Sequence, residues 1–202
     1  WYENSARIPM IINGPGIKAA RVKAAVSQID ILPTLLDLAS NGAPLHEEVI
    51  TEGRSLVPHL TGGDGHDEVI GEYMGEGAKA PGVMIRRGRY KFVHFQSDPD
   101  QLYDVEADPL EVKNLANDPA HAARVAALRA EIAKGWDMEA IRQQVVASQR
   151  RRRYLNDIIR AQGVAWDYQP VADARNLYIR NTVPIFELEM RSRFPAFKKA
   201  AE

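Results

Sequence analysis

Four short segments between residues 69 and 104, whose composition favours β-strands, constrain the fold of this chain more than any other feature. They are rich in β-branched and aromatic residues, and a cluster of Pro and Asp at 98–100 marks one of the connections between them. Gly88 lies between the two middle segments, which is typical of a tight hairpin turn. The sequence therefore predicts a small antiparallel sheet built from Val69–Met74, Val83–Arg87, Arg89–Phe95 and Gln101–Asp104.

A helix is predicted directly after the sheet, from about residue 119 to residue 134. Asp118 is a suitable N-cap, and Pro119 is favoured in the first turn of a helix. Apolar residues recur on one face, which predicts that the helix lies across the sheet. The residues of this face are Val125, Leu128 and Ile132.

A second helix and an irregular tail are predicted for the rest of the chain. The helix runs from about Met138 to Gln162, is capped by Asp137 and ends at Gly163. It carries Arg150–Arg153, which fan through more than one helical turn and therefore cannot form one narrow basic patch. We expect these arginines on a solvated or pairing face. Beyond Gly163 the chain is aromatic and irregular.

The first forty residues predict one strand and one helix. The apolar run Ile8–Ile12, closed by the turn residues 13–16, indicates a buried strand. Residues 26–38 have a broad apolar face at helical spacing, with Ser27 as N-cap and Asp30 three residues later. A strand followed by a helix suggests one βα unit of a larger parallel sheet. One unit cannot cover its own apolar surface, so its partners are expected upstream of this chain.

Composition narrows the classes of function. At 202 residues, with 45% hydrophobic and 26% charged residues, the chain suits a globular protein, and no apolar run is long enough for a bilayer. A net charge of -1 gives no reason to bind nucleic acid. The absence of cysteine excludes a disulfide, a thiolate zinc site and a cysteine nucleophile in this chain. We expect a cytoplasmic protein without nucleic-acid or membrane partners, cut from a longer protein at Trp1.

No set of side chains points by itself to a reaction. The five histidines, at 46, 59, 66, 94 and 121, lack the spacing of metal ligands. The acidic residues between 98 and 108 could suggest a calcium loop, but the turn glycine and the terminal glutamate of an EF-hand are missing. We interpret these acids as turn formers.

Several segments resemble consecutive motifs of the sulfatase family, in the family's order and spacing, over about residues 2–134. The remainder, from about 149 to 195, resembles the C-terminal extension of choline sulfatases. In that part the similar segments are Gln149–Tyr154, Trp166–Pro170 and Arg191–Pro195. The sulfatase-like segments are Ser5–Ile11, Val26–Ala39, Gly53–Leu56, Arg87–Phe92, Gln101–Pro109 and Asn114–Ala116.

The resemblance implies an α/β fold of the alkaline-phosphatase-like type. Residues 1–60 would be the C-terminal edge of the catalytic domain, 61–135 a small antiparallel sheet with a packed helix, and 136–202 a helical and irregular extension. The implied reaction is the hydrolysis of a sulfuric ester, choline sulfate, by a formylglycine nucleophile with a calcium ion. The family's positions for these groups lie upstream of Trp1. We therefore expect no catalytic or metal-binding residue in this chain, and no activity of the chain alone.

Recognition of the alcohol half of the substrate is a role that this chain could keep. A quaternary ammonium has no N–H to donate, so aromatic faces and carboxylates must select it. Glu76 is the first candidate because a loop carboxylate can point into a cleft, and Glu72 in the preceding strand is the second. Trp166 and Asp167 are candidates for reaching a neighbouring subunit's pocket, in a homo-oligomer held together by the tail.

Other interpretations stay open at the level of sequence. Glu72 and Glu76 can be ordinary surface acids, and Trp166 can be a packing anchor. The enzyme can be another sulfatase or a phosphonate monoester hydrolase of the same superfamily, which activity on choline sulfate against an aryl phosphonate would distinguish. The chain can also be a non-catalytic oligomerisation or recognition module, which is expected if no Cys-x-Pro-x-Arg segment is encoded upstream.

Overall fold

The structure, a computed structural model, describes residues 1–43, 51–75 and 78–162. Its helices are α1 (Glu3–Ala6), α2 (Ile31–Ser40), α3 (Val57–Leu60), α4 (Ala122–Gly135) and α5 (Met138–Ala161), and 3-10 turns at Gln28–Asp30 and Pro119–His121 precede α2 and α4. Its strands are β1 (Glu68–Tyr73), β2 (Gly82–Arg87), β3 (Tyr90–Phe95) and β4 (Gln101–Asp104). Within these described ranges, no helix is both long and apolar enough to cross a membrane.

The four strands form one antiparallel sheet in the order β1-β2-β3-β4, which confirms the sheet predicted from the sequence. Ile85 pairs with Phe92, and Phe92 with Leu102, so a row of apolar residues crosses three strands. The tight turn between β2 and β3 has Gly88 at a φ of 58°, a left-handed conformation that glycine adopts without strain. Alternation along the strands gives this sheet two different faces.

Helix α4 covers one face of the sheet and forms the main apolar core with it. Its inward residues are those that the periodicity predicted, and Ile132 is only 1% exposed. The Asp118 side chain accepts the Ala120 N–H at 2.9 Å, which confirms the predicted cap. The core consists of Val83, Ile85, Phe92, Leu102, Leu115, Val125, Leu128 and Ile132.

Helix α2 and the 3-10 turn before it cover Gln28–Ser40, against the predicted residues 26–38, and much of the apolar face of α2 lies in solvent. Ser27 and Asp30 form the predicted capping box. The helix ends at Ser40 and is capped by Asn41, whose φ of 53° is left-handed. Leu32 and Leu35 are 55% and 59% exposed. The described residues thus leave an uncovered apolar helix face on this part of the chain.

The prediction of a strand at Ile8–Ile12 is wrong. These residues have no regular secondary structure, and Ile11 is 91% exposed. An apolar run becomes a strand only where a neighbouring strand pairs with its backbone N–H and C=O groups. None of the four described strands pairs with this segment. Of the predicted βα unit, the described residues therefore form the helix and not the strand.

Helix α5 is the longest element, with 24 residues. The Asp137 side chain accepts the Ala140 N–H at 2.9 Å, as predicted for its cap. Arg150–Arg153 are exposed, in agreement with the expectation of a solvated face. The predicted end at Gly163 lies outside the described residues. The N-terminal segment, the sheet and α4 all lie within the compact unit Trp1–Val146.

Candidate recognition site at the small sheet

The N-terminal segment contacts the face of the sheet opposite α4, where Lys91 of β3 binds it. The Lys91 ammonium donates to the Trp1 carbonyl at 2.6 Å and to the Glu3 carboxylate at 3.1 Å. The Lys91 side chain is 1% exposed. Removing an ammonium from water costs several kcal/mol unless an opposite charge pairs with it, and the Glu3 carboxylate is such a partner here. The segment is therefore attached by a buried charge.

Glu111 completes a cluster of four charges with Glu3, Arg86 and Lys91, called the Lys91 cluster below. Glu111 pairs with Lys91, and its other oxygen accepts the Glu3 N–H at 2.5 Å. Arg86 pairs with Glu3 at 3.0 Å. Glu111 has a φ of 54°, which is uncommon outside glycine and strains the backbone. Two positive and two negative charges thus join the N-terminal segment, the sheet and the loop after β4.

The Trp1 ring lies against two aromatic side chains of the sheet. Its centroid is 5.9 Å from that of Tyr73, edge to face, and 5.5 Å from that of Phe95. Gly71 leaves room for the ring, since a Cβ there would lie 3.0 Å from Trp1 Nε1. A Cβ on Gly75 would lie 3.3 Å from the Tyr73 ring. The contacts therefore extend from Trp1 to the first residues of the loop after β1.

Of the four predicted recognition residues, the structure describes Glu72. This residue lies on the α4 face of β1, and its carboxylate accepts the indole N–H of Trp136 at 2.6 Å. Glu76, Trp166 and Asp167 lie outside the described residues. The structure thus supplies Glu72 with a partner from the end of α4, and the recognition roles of all four residues stay predictions.

A shallow cleft of about 430 Å³ lies beside Trp136, at the junction of α4 and α5. Two polar residues that line the cleft, His94 and Arg129, are held in place by Asp100, whose side chain is 7% exposed. His94 Nδ1 lies 2.6 Å from one Asp100 oxygen, and Arg129 Nε donates to the other at 2.8 Å. The cleft combines an aromatic wall with fixed charges of both signs, so it favours no single sign of ligand.

A second buried carboxylate, Asp30, joins the start of α2 to two later segments. It accepts the backbone N–H groups of Ser27 and Arg54 at 2.7 and 2.8 Å, and His66 Nε2 lies at 2.9 Å. Burial alone would raise the pKa of Asp30, but these hydrogen bonds outweigh it and the pKa is lowered. The carboxylate is therefore ionised at neutral pH and binds these segments together.

The described residues do not fit a calcium site or a formylglycine nucleophile. In residues 1–43, 51–75 and 78–162, no three side chains of His, Cys, Asp or Glu converge as metal ligands. The chain also contains no cysteine from which a formylglycine could form.

Comparison with known proteins identifies the family. A family model of the C-terminal region of N-sulphoglucosamine sulphohydrolase matches residues 1–137. The chain belongs to the sulfatase family. A second family model, of the C-terminal region of the choline sulfatase enzyme, matches residues 143–194. Both matches confirm the resemblance recognised in the sequence, to sulfatases in the first part of the chain and to choline sulfatases in the last part.

Two curated relatives and one solved structure show the extent of this similarity. The choline-sulfatase of Rhizobium meliloti (strain 1021) is 41% identical over 200 residues, covering 96% of this chain and 39% of that protein. The Delta 4,5-hexuronate-2-O-sulfatase of Bacteroides thetaiotaomicron is 37% identical over 140 residues, covering 64% of this chain and 28% of that protein. The crystal structure of a Bacteroides thetaiotaomicron protein provisionally classed as a sulfatase aligns with a TM-score of 0.50 at 38% identity, over 60% of this chain and 27% of that one.

The chain therefore spans well under half the length of the two curated relatives. Its fold is part of the alkaline-phosphatase-like sulfatase fold, as predicted, with the small four-stranded sheet and packed helix of that fold. The activity and substrates of the relatives belong to whole proteins, of which this chain resembles the C-terminal portion.

Sequence reasoning missed the Lys91 cluster, although β3 contains a signal for it. Lys91, Val93 and Phe95 point to the same side of the strand, so a lysine occupies a row that is otherwise apolar. A lysine in such a row must find carboxylates. The sequence does not indicate that they come from Glu3 and Glu111, because each is distant along the chain.

Proposed function

We propose that this chain is the alcohol-recognition and assembly portion of a sulfatase that hydrolyses choline sulfate to choline and sulfate. The observation that carries the proposal is the match of residues 143–194 to the C-terminal region of choline sulfatase, because it distinguishes this chain from sulfatases in general. In the proposal, a formylglycine supplies the nucleophile and a calcium ion stabilises the sulfate oxygens, both on residues outside this chain. A cytoplasmic location is part of the same proposal.

The expected contribution of this chain is electrostatic selection of the choline cation. The trimethylammonium group cannot donate a hydrogen bond, so a carboxylate and aromatic faces are the groups that favour it over an uncharged alcohol. Glu76, four residues after Glu72, is the first candidate for this carboxylate. Glu72 is the second, and the Trp136 indole that donates to it places an aromatic ring beside its charge.

The turnover of choline sulfate tests this proposal directly. The full-length protein should hydrolyse choline sulfate with a higher kcat/KM than an aryl sulfate or an aryl phosphonate. Purified 1–202 should show no turnover above blank, since it has no cysteine for a formylglycine. A full-length protein that prefers the aryl phosphonate would contradict the choline-sulfate assignment, and turnover by 1–202 would contradict the division of roles.

Substituting Glu76 should change substrate preference more than activity in general. In the full-length protein, Glu76→Gln is expected to lower kcat/KM for choline sulfate by roughly tenfold to a hundredfold relative to an uncharged aryl sulfate. Only choline sulfate carries a cation for the carboxylate to meet. Glu106→Gln is a matched control, because the Glu106 side chain is 67% exposed and its contact with Arg89 is long. Equal losses on both substrates would make Glu76 a structural residue.

The tail is proposed to assemble subunits. Trp166 and Asp167 would reach a neighbouring subunit's substrate pocket in a homo-oligomer, with Arg150–Arg153 pairing acids nearby. Ending the full-length protein after Gln162 should then lower the oligomeric state in light scattering and raise KM for choline sulfate. An assembly and a KM that both stay at the wild-type value would show that the tail packs on its own subunit.

A further inference from the structure

We propose that Trp1 is a positioning residue for substrate recognition, which holds the two ends of the loop between β1 and β2. This inference rests on the proposed function, in which that loop meets the alcohol half of the ester. It follows from three consecutive contacts: Lys91 with the Trp1 backbone, the Trp1 ring with the sheet, and the sheet aromatics with the ends of the loop.

A hydrogen bond from Lys91 fixes the backbone of Trp1. The Lys91 ammonium donates to its carbonyl at 2.6 Å, a short charge-assisted hydrogen bond in a site from which water is nearly excluded. Glu3, two residues later, has three partners: its N–H donates to Glu111, and its carboxylate pairs with Arg86 and Lys91. The N-terminal segment therefore has little freedom to move along the sheet.

Packing against the sheet fixes the Trp1 ring. Trp1 lies in the space that Gly71 leaves open, between the side chains of Tyr73 and Phe95. A Cβ on Gly71 would also lie 3.2 Å from Met84 Cε, so any larger residue at position 71 would be crowded by Met84 as well as by the Trp1 ring. The ring thus contacts the last residue of β1 and the last residue of β3 together.

Tyr73 and Phe95 in turn contact the two ends of the loop between β1 and β2. The loop leaves the sheet after Tyr73 and returns at Gly82, and these two residues are paired across β1 and β2. The Phe95 ring covers Gly82 so closely that a Cβ there would lie 2.3 Å from it. The Tyr73 ring contacts Gly75. Both ends of the loop therefore lie on aromatic rings that Trp1 holds in place.

The position of β1 explains why this support matters. β1 is at the edge of the sheet and pairs with β2 alone among the described strands. Tyr73 is 41% exposed. Edge strands open more readily than central ones, so the end of β1 depends on contacts with the sheet face. A displacement of about 1 Å at a recognition group can cost up to a hundredfold in rate.

The test compares three variants of the full-length protein: Trp1→Ala, Trp1→Phe and the control Tyr2→Ala. Tyr2 lies on the same segment, but its ring packs on Tyr103 at 6.1 Å and not on the loop ends. We expect Trp1→Ala to lower the ratio of kcat/KM for choline sulfate over an aryl sulfate by about tenfold. Trp1→Phe should restore most of the ratio, and Tyr2→Ala should leave it unchanged.

Hydrogen exchange at residues 73–75 gives a second readout that does not require choline sulfate to be the substrate. Exchange should become faster in Trp1→Ala and stay at the wild-type rate in Tyr2→Ala. If the wild-type protein does not hydrolyse choline sulfate, the proposed function fails while exchange still decides the positioning role. A ratio and an exchange rate that both stay unchanged in Trp1→Ala overturn the inference. If Trp1→Ala does not fold, Gly71→Ala perturbs the same contact more mildly and is expected to shift both readouts in the same direction.

Discussion

Replacing Lys91 by methionine should lower the free energy of unfolding of the protein by about 3–5 kcal/mol. The substitution keeps most of the side-chain volume but leaves two buried carboxylates without the ammonium between them. Arg86 still pairs with Glu3, so the Glu111 carboxylate is the group that loses its counter-charge. The Trp1 carbonyl also loses its donor. Removing one partner of a buried ion pair costs more than the pair contributes, because the remaining charge stays buried.

Chemical denaturation at neutral pH measures this loss, with Lys113→Met as the matched control. Lys113 is exposed, and its side chain has no ion pair among the described residues. The double variant Lys91→Met/Glu111→Gln should recover about 1–3 kcal/mol. The glutamine is neutral, and its amide oxygen can still accept the Glu3 N–H. If Lys91→Met costs no more than Lys113→Met, the cluster does not carry a buried charge in solution.

The sheet and its helix could be predicted because their determinants are local. Alternation within each strand, a glycine at the β2–β3 turn and a capping aspartate before α4 each act over a few residues. Leu128 faces the sheet because helical periodicity places it there. For the same reason, Asp118 and Asp137 were recognisable as caps from the residues that follow them.

The contacts of the candidate site could not be predicted, because they join residues far apart in sequence. Lys91 and Glu3 are separated by 88 positions, and Glu72 and Trp136 by 64. A sequence pattern indicates that Lys91 is buried but not which acids meet it. The failure at Ile8–Ile12 has the same origin, since a strand depends on a partner whose presence no local pattern reports.

Asp30 carries the second large expected effect, because its carboxylate serves three donors from three segments of the chain. Asp30→Ala should lower the free energy of unfolding by about 3–5 kcal/mol, since the Ser27 and Arg54 N–H groups and the His66 ring lose a buried acceptor. Asp30→Asn should cost less, because the amide oxygen can still accept a hydrogen bond. Asp64→Ala, at an exposed aspartate in the same region, should have little effect.

The pH dependence of stability separates the charge of Asp30 from its shape. Its pKa is lowered in the folded protein because backbone and His66 hydrogen bonds outweigh the effect of burial. The folded state therefore binds the proton more weakly than the unfolded state, whose aspartate pKa is about 3.9. The contribution to stability is complete above that pH and is lost as the pH falls through the lower, folded-state pKa. Wild type should then lose stability relative to Asp30→Asn when the pH is lowered from 5 to below about 3. Parallel curves for the two proteins over this interval would show that the charge of Asp30 contributes nothing, and that its hydrogen bonds act through geometry alone.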